Sequence, residues 1–486
     1  LKRNTAKLLS ALAIGVGTSV AAIPAHADDM SDLKALIGEL KAQVNEQKAQ
    51  VRDLKAQINS LNAQVSDQKK QVSDQGAQVQ SQTATIQKVE AQQQAIEQKQ
   101  ASAAPVEAKP ETKEGYIAVP GTNTQIKIGG YVKLDMVDDV SSKIGKDTAT
   151  DFTAIPLSGT AESHRNGQLN FTAKETRLGL TALTQSNAIG DIKTVVEGDF
   201  YSSGSAANGS NSVVRLRHAY VSAAGFTAGQ TWSTFMDLDT AGPETLDFNG
   251  PVGYAFVRQP QLRYTAALPT GSLDVAVESP KGDLSRNDTK NTVDNHLDKA
   301  PDVIARYTVD PSWGHFAIAG LGRYLSNDSG VSGQHASKFV YGVMAGLGIK
   351  TFGKDVLAFQ TVGGDGVGRY MNQGEGISAI IIDERYLKPI NIWGGTASYT
   401  HFWTETLRSN VAYGYDHFGT PAGDPSSAPI KSLSSIHANL IWSPWDATDV
   451  GIEYIYGHID TTAQSTSTTG TSGSASRVQG SVKYTF

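Results

Sequence analysis

TQIKIGGYVKLDM, residues 124–136, places Ile126, Ile128, Val132, Leu134 and Met136 on one parity and Gln125, Lys127, Tyr131, Lys133 and Asp135 on the other. A period of two belongs to a strand with one apolar and one polar face. The same dyad continues to the last residue. GDIKTVVEGDFY (190–201) sets Ile192, Val196 and Phe200 against Lys193, Glu197 and Asp199, and VRLRHAYV (214–221) sets Val214, Leu216 and Tyr220 against Arg215 and Arg217. SIHANLIW (435–442) and VGIEYIYG (450–457) repeat it, and GSVKYTF (480–486) alternates Val482, Tyr484 and Phe486 with polar residues. Short breaks such as DPS (310–312) and SPWDATD (443–449) alternate with long ones such as the Ser/Thr/Gly-rich 142–167.

Strands of about ten residues with short turns at one end and long loops at the other are the pattern of an outer-membrane β-barrel. The spacing predicts an all-β transmembrane barrel of about sixteen antiparallel strands, within two, over residues 123–486. A closed barrel satisfies every backbone group without an exposed edge, which is the strand solution available in lipid. The final strand is therefore expected to pair with the first, near Ile126 to Met136. Its terminal Phe486 is the kind of feature by which such chains resemble clients of the barrel-insertion machinery. A soluble β-sandwich would need protein partners for both strand faces.

Upstream the period is seven. From Met30, a positions carry Ile37, Val44, Val51, Ile58, Val65, Val72, Val79 and Ile86, while d positions carry Leu33, Leu40, Leu54, Leu61, Val89 and Ile96 with Gln47, Gln68, Gln75 and Gln82 interspersed. This predicts an α-helical coiled coil over 28–100, and hence an oligomer, with dimer and trimer both open from these residues. Pro105, Pro110 and Pro120 make 101–122 a linker. Before the coil, Lys2, Arg3 and Lys7 precede the apolar run 8–22 and then Ala25-His26-Ala27, which predicts a signal peptide over 1–27; the run is too short for a spanning helix. An even strand count returns both barrel ends to one side. That side is the periplasm, where the coil is expected to lie and where it could reach the peptidoglycan.

Composition narrows the function. The 486 residues carry 39% hydrophobic residues, 48 Gly and a net charge of -6, so nothing favours a nucleic-acid partner. There is no Cys, which rules out disulfides, thiol catalysis and a cysteine-linked lipid anchor. Enzyme motifs are poor: GIKTFGKD (348–355) has phosphate-loop glycines and Lys354 but Asp355 where Ser or Thr should be. No metal or cofactor is expected.

The polar parity collects Lys127, Lys133, Arg177, Lys193, Arg215, Arg217, Arg263, Arg306, Arg323 and Arg408, followed by Arg477 and Lys483. Guanidinium groups in a narrow aqueous lumen offer paired donors to carboxylate or phosphate, so these residues are candidates for an anion-attracting pore lining. They could instead pair with Glu175, Glu197, Asp199, Asp302 and Glu453 to stiffen the wall. The long segment 233–254 holds Asp237, Asp239, Glu244 and Asp247, and folding it inwards would set these acids against the basic wall as a constriction. A calcium loop is disfavoured there because the glycine and distal Glu are missing. His218 breaks parity towards lipid, which implies a register shift or a place near the membrane interface.

At 119–136 (VPGTNTQIKIGGYVKLDM), 174–180 (KETRLGL), 196–201 (VEGDFY), 214–221 (VRLRHAYV) and 228–237 (AGQTWSTFMD) the sequence resembles the DcaP-like outer-membrane porins, over nearly its whole length. The resemblance implies a homotrimer in outer-membrane lipid, with passive uptake of dicarboxylates and other small anions. It also implies that Arg215, Arg217 and 233–254 belong to the pore. A phosphate-preferring porin, and a structural or adhesive anchor bridging to the cell wall, stay open beside it.

Overall fold

The computed structural model describes residues 112–486 except 146–148, 203–212, 287–288, 293–295, 374–376, 383–384, 420–429 and 463–468, together with isolated positions between Ile37 and Thr83. The predicted signal peptide, most of the heptad segment and linker residues 101–111 lie outside the described residues. The chain divides into two units, 1–106 and 107–486. In the first, the described positions are helical, and the heptad residues Ile37, Val44, Ile58 and Val65 are exposed on that helix.

The second unit is a closed antiparallel barrel of sixteen strands. They are β1 (Thr124–Ser141), β2 (Gln168–Thr172 continued by Arg177–Ser186), β3 (Gly190–Ser202), β4 (Val213–Ala223), β5 (Phe226–Trp232), β6 (Arg258–Leu268), β7 (Gly271–Glu278) and β8 (Asp302–Val309). The circle continues with β9 (Gly314–Asp328), β10 (His335–Lys350), β11 (Val356–Asp365), β12 (Asn391–Phe402), β13 (Leu407–Phe418), β14 (Ile430–Trp445), β15 (Thr448–Thr461) and β16 (Ser472–Thr485). Each strand pairs with its sequence neighbours, and β16 closes on β1 from Tyr131↔Thr485 to Ser141↔Ser476. Closure thus sits higher on β1 than the 126–136 expected from sequence. Strands of a closed barrel are staggered, and the N–H of Phe486 reaches Gly130 O at 3.0 Å, leaving the lower part of β1 to β2 on one side and to the short strand Ile117–Ala118, paired at Gln125 and Ile126, on the other.

The dyad pattern is realised as two faces. Val132, Leu134 and Met136 on β1, Phe339, Tyr341 and Val343 on β10 and Val411 and Tyr413 on β13 are exposed on the outside. Lys133, Asp135 and Asp139, Val340 and Met344, and Asn410 and Asp416 of the same strands are buried inside. This inversion of the soluble arrangement is what a lipid-facing wall around a polar interior requires. Parity slips once within β4: Glu197 lies opposite His218 while Gly198 lies opposite Leu216, so a β-bulge turns both Arg217 and His218 inwards. The register shift expected at His218 is present, and the histidine donates to or accepts from Thr231 Oγ1 at 3.0 Å.

Turns at the Thr124 end are short, such as Asp446-Ala447 between β14 and β15. In outer-membrane barrels this end faces the periplasm. GIKTFGKD (348–355) is one of these turns: Asp355 accepts the Phe402 N–H (2.9 Å) and Tyr399 hydroxyl (2.7 Å), and these bonds hold its carboxyl down at about 2. At the opposite end, Leu284–Arg286, Thr289–Thr292, Ala379–Ile382 and Tyr386–Pro389 form a separate small sheet. It packs Leu284, Ile381 and Leu387 on Leu325 and Val340 of the barrel.

Candidate functional site

The connection between β5 and β6, residues 233–257, lies inside the barrel, because the wall is built to receive it. Inward glycines open the space: a Cβ on Gly346 would overlap the side chains of Asp237 and Thr240, and one on Gly414 would overlap the Val252 carbonyl. Gly253 presses its backbone on Gly395 and takes φ +99°, a conformation L-residues avoid.

Buried polar groups then pin the segment. Glu278 of β7 accepts the Thr234 N–H (2.6 Å) and the Ser233 hydroxyl (2.7 Å). Arg306 of β8 donates to the Met236 carbonyl, and Gln360 of β11 donates to Asp237 O (3.2 Å) while accepting the Ala255 N–H (3.0 Å). On the far side Glu453 of β15 accepts the Leu246 N–H (2.7 Å), and the Leu246 carbonyl takes donors from Lys133 (2.7 Å) and Gln479 (2.8 Å). With so many backbone groups satisfied by wall side chains, the segment is a fixed part of the lumen rather than an external loop.

Its four acids have separate fates. Asp237 is buried against His315 Nε2 (3.0 Å) and Thr240; burial raises its carboxyl, but these hydrogen bonds prevail and bring it below the ordinary value. Asp239 is exposed, 3.6 Å from His315 Nδ1, which also meets Asp310 at 2.5 Å. Asp237, Asp239 and His315 have the spacing of a metal-ligand set, yet both ring nitrogens are already engaged by carboxylates. Glu244 forms a two-pronged pair with Arg408 (2.6 and 2.6 Å). Asp247 accepts Thr150 Oγ1 (2.6 Å) and the Gly250 N–H (2.8 Å), so it braces the segment itself.

The basic candidates separate as well. Arg323 is buried on Asp302 (3.0 Å) and Asp283 (3.0 Å), and Arg477 on Asp139 (2.7 Å); both stitch wall to loop. Lys133 bonds Glu175 (2.5 Å), Arg306 bonds Asp274 (2.8 Å) and Lys483 bonds Asp449 (2.8 Å). Lys127 and Lys193 are exposed near the short-turn end.

Arg258 lies within reach of the charges of Arg177, Arg215 and Arg217, and the four form one group. Arg215 chelates Asp199 (2.9 and 2.6 Å), and Arg217 bonds Glu197 (2.7 Å) and Asp199 (3.0 Å). Among the described residues, only Arg215 and Arg217 of the four bond a carboxylate. Arg177 Nε and Arg258 Nη1 have no hydrogen-bond partner among the described residues. Aromatic faces support the group: Phe248 of the inner segment lies 5.0 Å from Arg215 and 5.9 Å from Arg217, Trp232 lies 4.4 Å from Arg258, and Tyr131 lies 5.2 Å from Arg177. Next to it a chamber of about 240 Å³ is lined by Lys133, Arg177, Glu244, Asp449 and Lys483.

Arg258 is absent from the sequence-based set. It has the parity of the lipid-facing Leu262 and Tyr264, and only its position at the loop-to-strand junction opposite Trp232 turns it inwards.

No curated protein matches the sequence. Among solved structures, the outer membrane channel DcaP of Acinetobacter baumannii is similar, at 23% identity over 76% of this chain and 99% of that one, with a TM-score of 0.65. OmpT of Vibrio cholerae (11% identity, 76% and 100% covered, TM-score 0.48) and OmpF of Salmonella typhi (13%, 76% and 100%, TM-score 0.48) are more distant. The family model described as DcaP outer membrane protein matches residues 47–486. With the porin barrel closed and that match spanning all of it, the chain belongs to the DcaP outer membrane protein family and is an outer-membrane porin channel.

Proposed function

We propose that this porin is a passive, anion-preferring channel whose filter is the group Arg177, Arg215, Arg217 and Arg258. The observation that carries this reading is the charge imbalance where 233–257 narrows the lumen, with two guanidinium groups in excess of the carboxylates they bind. Positive potential in a confined channel raises the local anion concentration and lowers that of cations. Small dicarboxylates suit the site because two carboxylates can take up the two uncommitted guanidinium groups in forked geometry. The acids 237, 239, 244 and 247 act by holding the constriction in place. Flux follows the solute gradient and uses no cofactor.

In this reading residues 1–27 direct export and 28–100 form a periplasmic coiled coil that helps a homotrimer to assemble. The exposed apolar stripe of Ile37, Val44, Ile58 and Val65 supports that assembly, since a lone helix would leave it in water. The reversal potential of the reconstituted protein in a salt gradient is the test. Anion selectivity is expected, and cation selectivity or a silent bilayer would overturn the reading.

A further inference from the structure

A recess of about 400 Å³ lies between the start of the inner segment and the wall strands β3 to β8. That is within the size range of small-molecule sites. Part of its lining is apolar, from Val195, Trp232, Met236 and Leu238, and part is cationic, from Arg263 and Arg306. Leu238 is 55% exposed although it sits on a segment folded inside an aqueous channel. Nothing in the wall pattern requires a leucine there, and burying such a side chain under a ligand is favourable.

The charges of the recess are mostly committed. Glu197 is held by Arg217 at 2.7 Å, Arg306 by Asp274 at 2.8 Å, and His218 is bonded to Thr231 at 3.0 Å. Arg263 makes no ion pair among the described residues, and its Nε is buried without a hydrogen-bond partner. The recess therefore offers one uncommitted cation beside an apolar wall. A second anionic group on a ligand would be stripped of water against Leu238 and Met236 with nothing to pair it, which is costly.

We infer that this recess is a binding subsite for organic monoanions with a compact apolar body, the carboxylate on Arg263 and the hydrocarbon on Val195, Met236 and Leu238. The inference rests on the anion-channel reading and adds a preference to it: such solutes pause beside the constriction, whereas dianions pass along the Arg177–Arg258 group. The test is tryptophan fluorescence of the full-length protein in detergent, titrated with isocaproate, with threonate as a polar monoanion and with succinate. Threonate is expected to give no change and isocaproate a saturable one, weakened about fivefold by Leu238→Ser and by Arg263→Gln, as suits the loss of a partly covered leucine or one ion pair; a succinate response, arising at Arg258 beside Trp232, is expected to be unmoved by either substitution. Leu238 is exposed, so its replacement leaves the fold intact. An equal response to threonate, or unchanged isocaproate binding in both variants, would overturn the subsite. Equilibrium binding needs no flux, so failure here in an anion-selective protein sinks only the subsite, and isocaproate binding to a cation-selective one sinks only the filter.

Discussion

Replacing Arg177 and Arg258 together by Gln removes the two guanidinium groups of the proposed filter that carry a partnerless N–H donor among the described residues and leaves the Arg215–Asp199 and Arg217–Glu197 pairs intact. A permeant ion passing about 7 Å from each charge in a water-filled lumen interacts by roughly 0.6 kcal/mol, halved to about 0.3 kcal/mol by physiological screening. The term changes sign between anion and cation, so each guanidinium shifts the anion-to-cation permeability ratio by about threefold, and two shift it by roughly eightfold. The assay is the zero-current potential of single channels in a low-salt gradient, with Lys354→Gln as a control. Lys354 pairs with Glu405 at the exposed short-turn end, away from the constriction. Folding of each variant is checked by the heat-dependent mobility of the barrel on a denaturing gel. A folded double variant with the wild-type potential would refute the assignment of these arginines as the filter. A control that moved as far as the double variant would show that net charge, not position, sets the preference.

Glu244→Gln releases Arg408 from its two-pronged pair, so anion selectivity should rise by about threefold, on the same Coulomb arithmetic. Gly414→Val drives a side chain into the Val252 carbonyl; the expected cost is about 1–3 kcal/mol, read as a lower unfolding temperature, with a larger conductance as the inner segment is displaced. Asp237 is depressed in the folded state by His315 and Thr240, so its contribution is present above the ordinary Asp range and lost as pH falls through the folded value. Conductance should hold steady from neutral pH down to about pH 4 and become noisy below it. Asp237→Asn should be noisy already at neutral pH, and noise in the wild type at mildly acidic pH would contradict the assignment.

How much of this was legible in advance divides along physical lines. Period-two patterning reports which side of a strand faces lipid, and that information is local, so the barrel and its strand number were readable from residues such as Val132, Leu134 and Met136 alone. Length and its four acids marked 233–254 as a candidate to fold inwards, but not the path it would take. Its path depends on Gly346 and Gly414, which lie on different strands and mean nothing singly. Charge roles were the least legible. Arg323 and Arg215 look alike in sequence, yet one is buried on Asp283 and Asp302 while the other, paired with Asp199, stays partly exposed to the lumen.

By itself the sequence determined the barrel, its orientation rule and the heptad segment, because each follows from a repeat that neighbouring residues express together. Tertiary structure alone decided which arginines keep free donors, that Glu244 meets Arg408 across 164 positions, and that a bulge turns Arg217 and His218 to the same side. Those outcomes depend on stagger around a closed sheet and on pairing between distant strands, and a one-dimensional pattern carries neither.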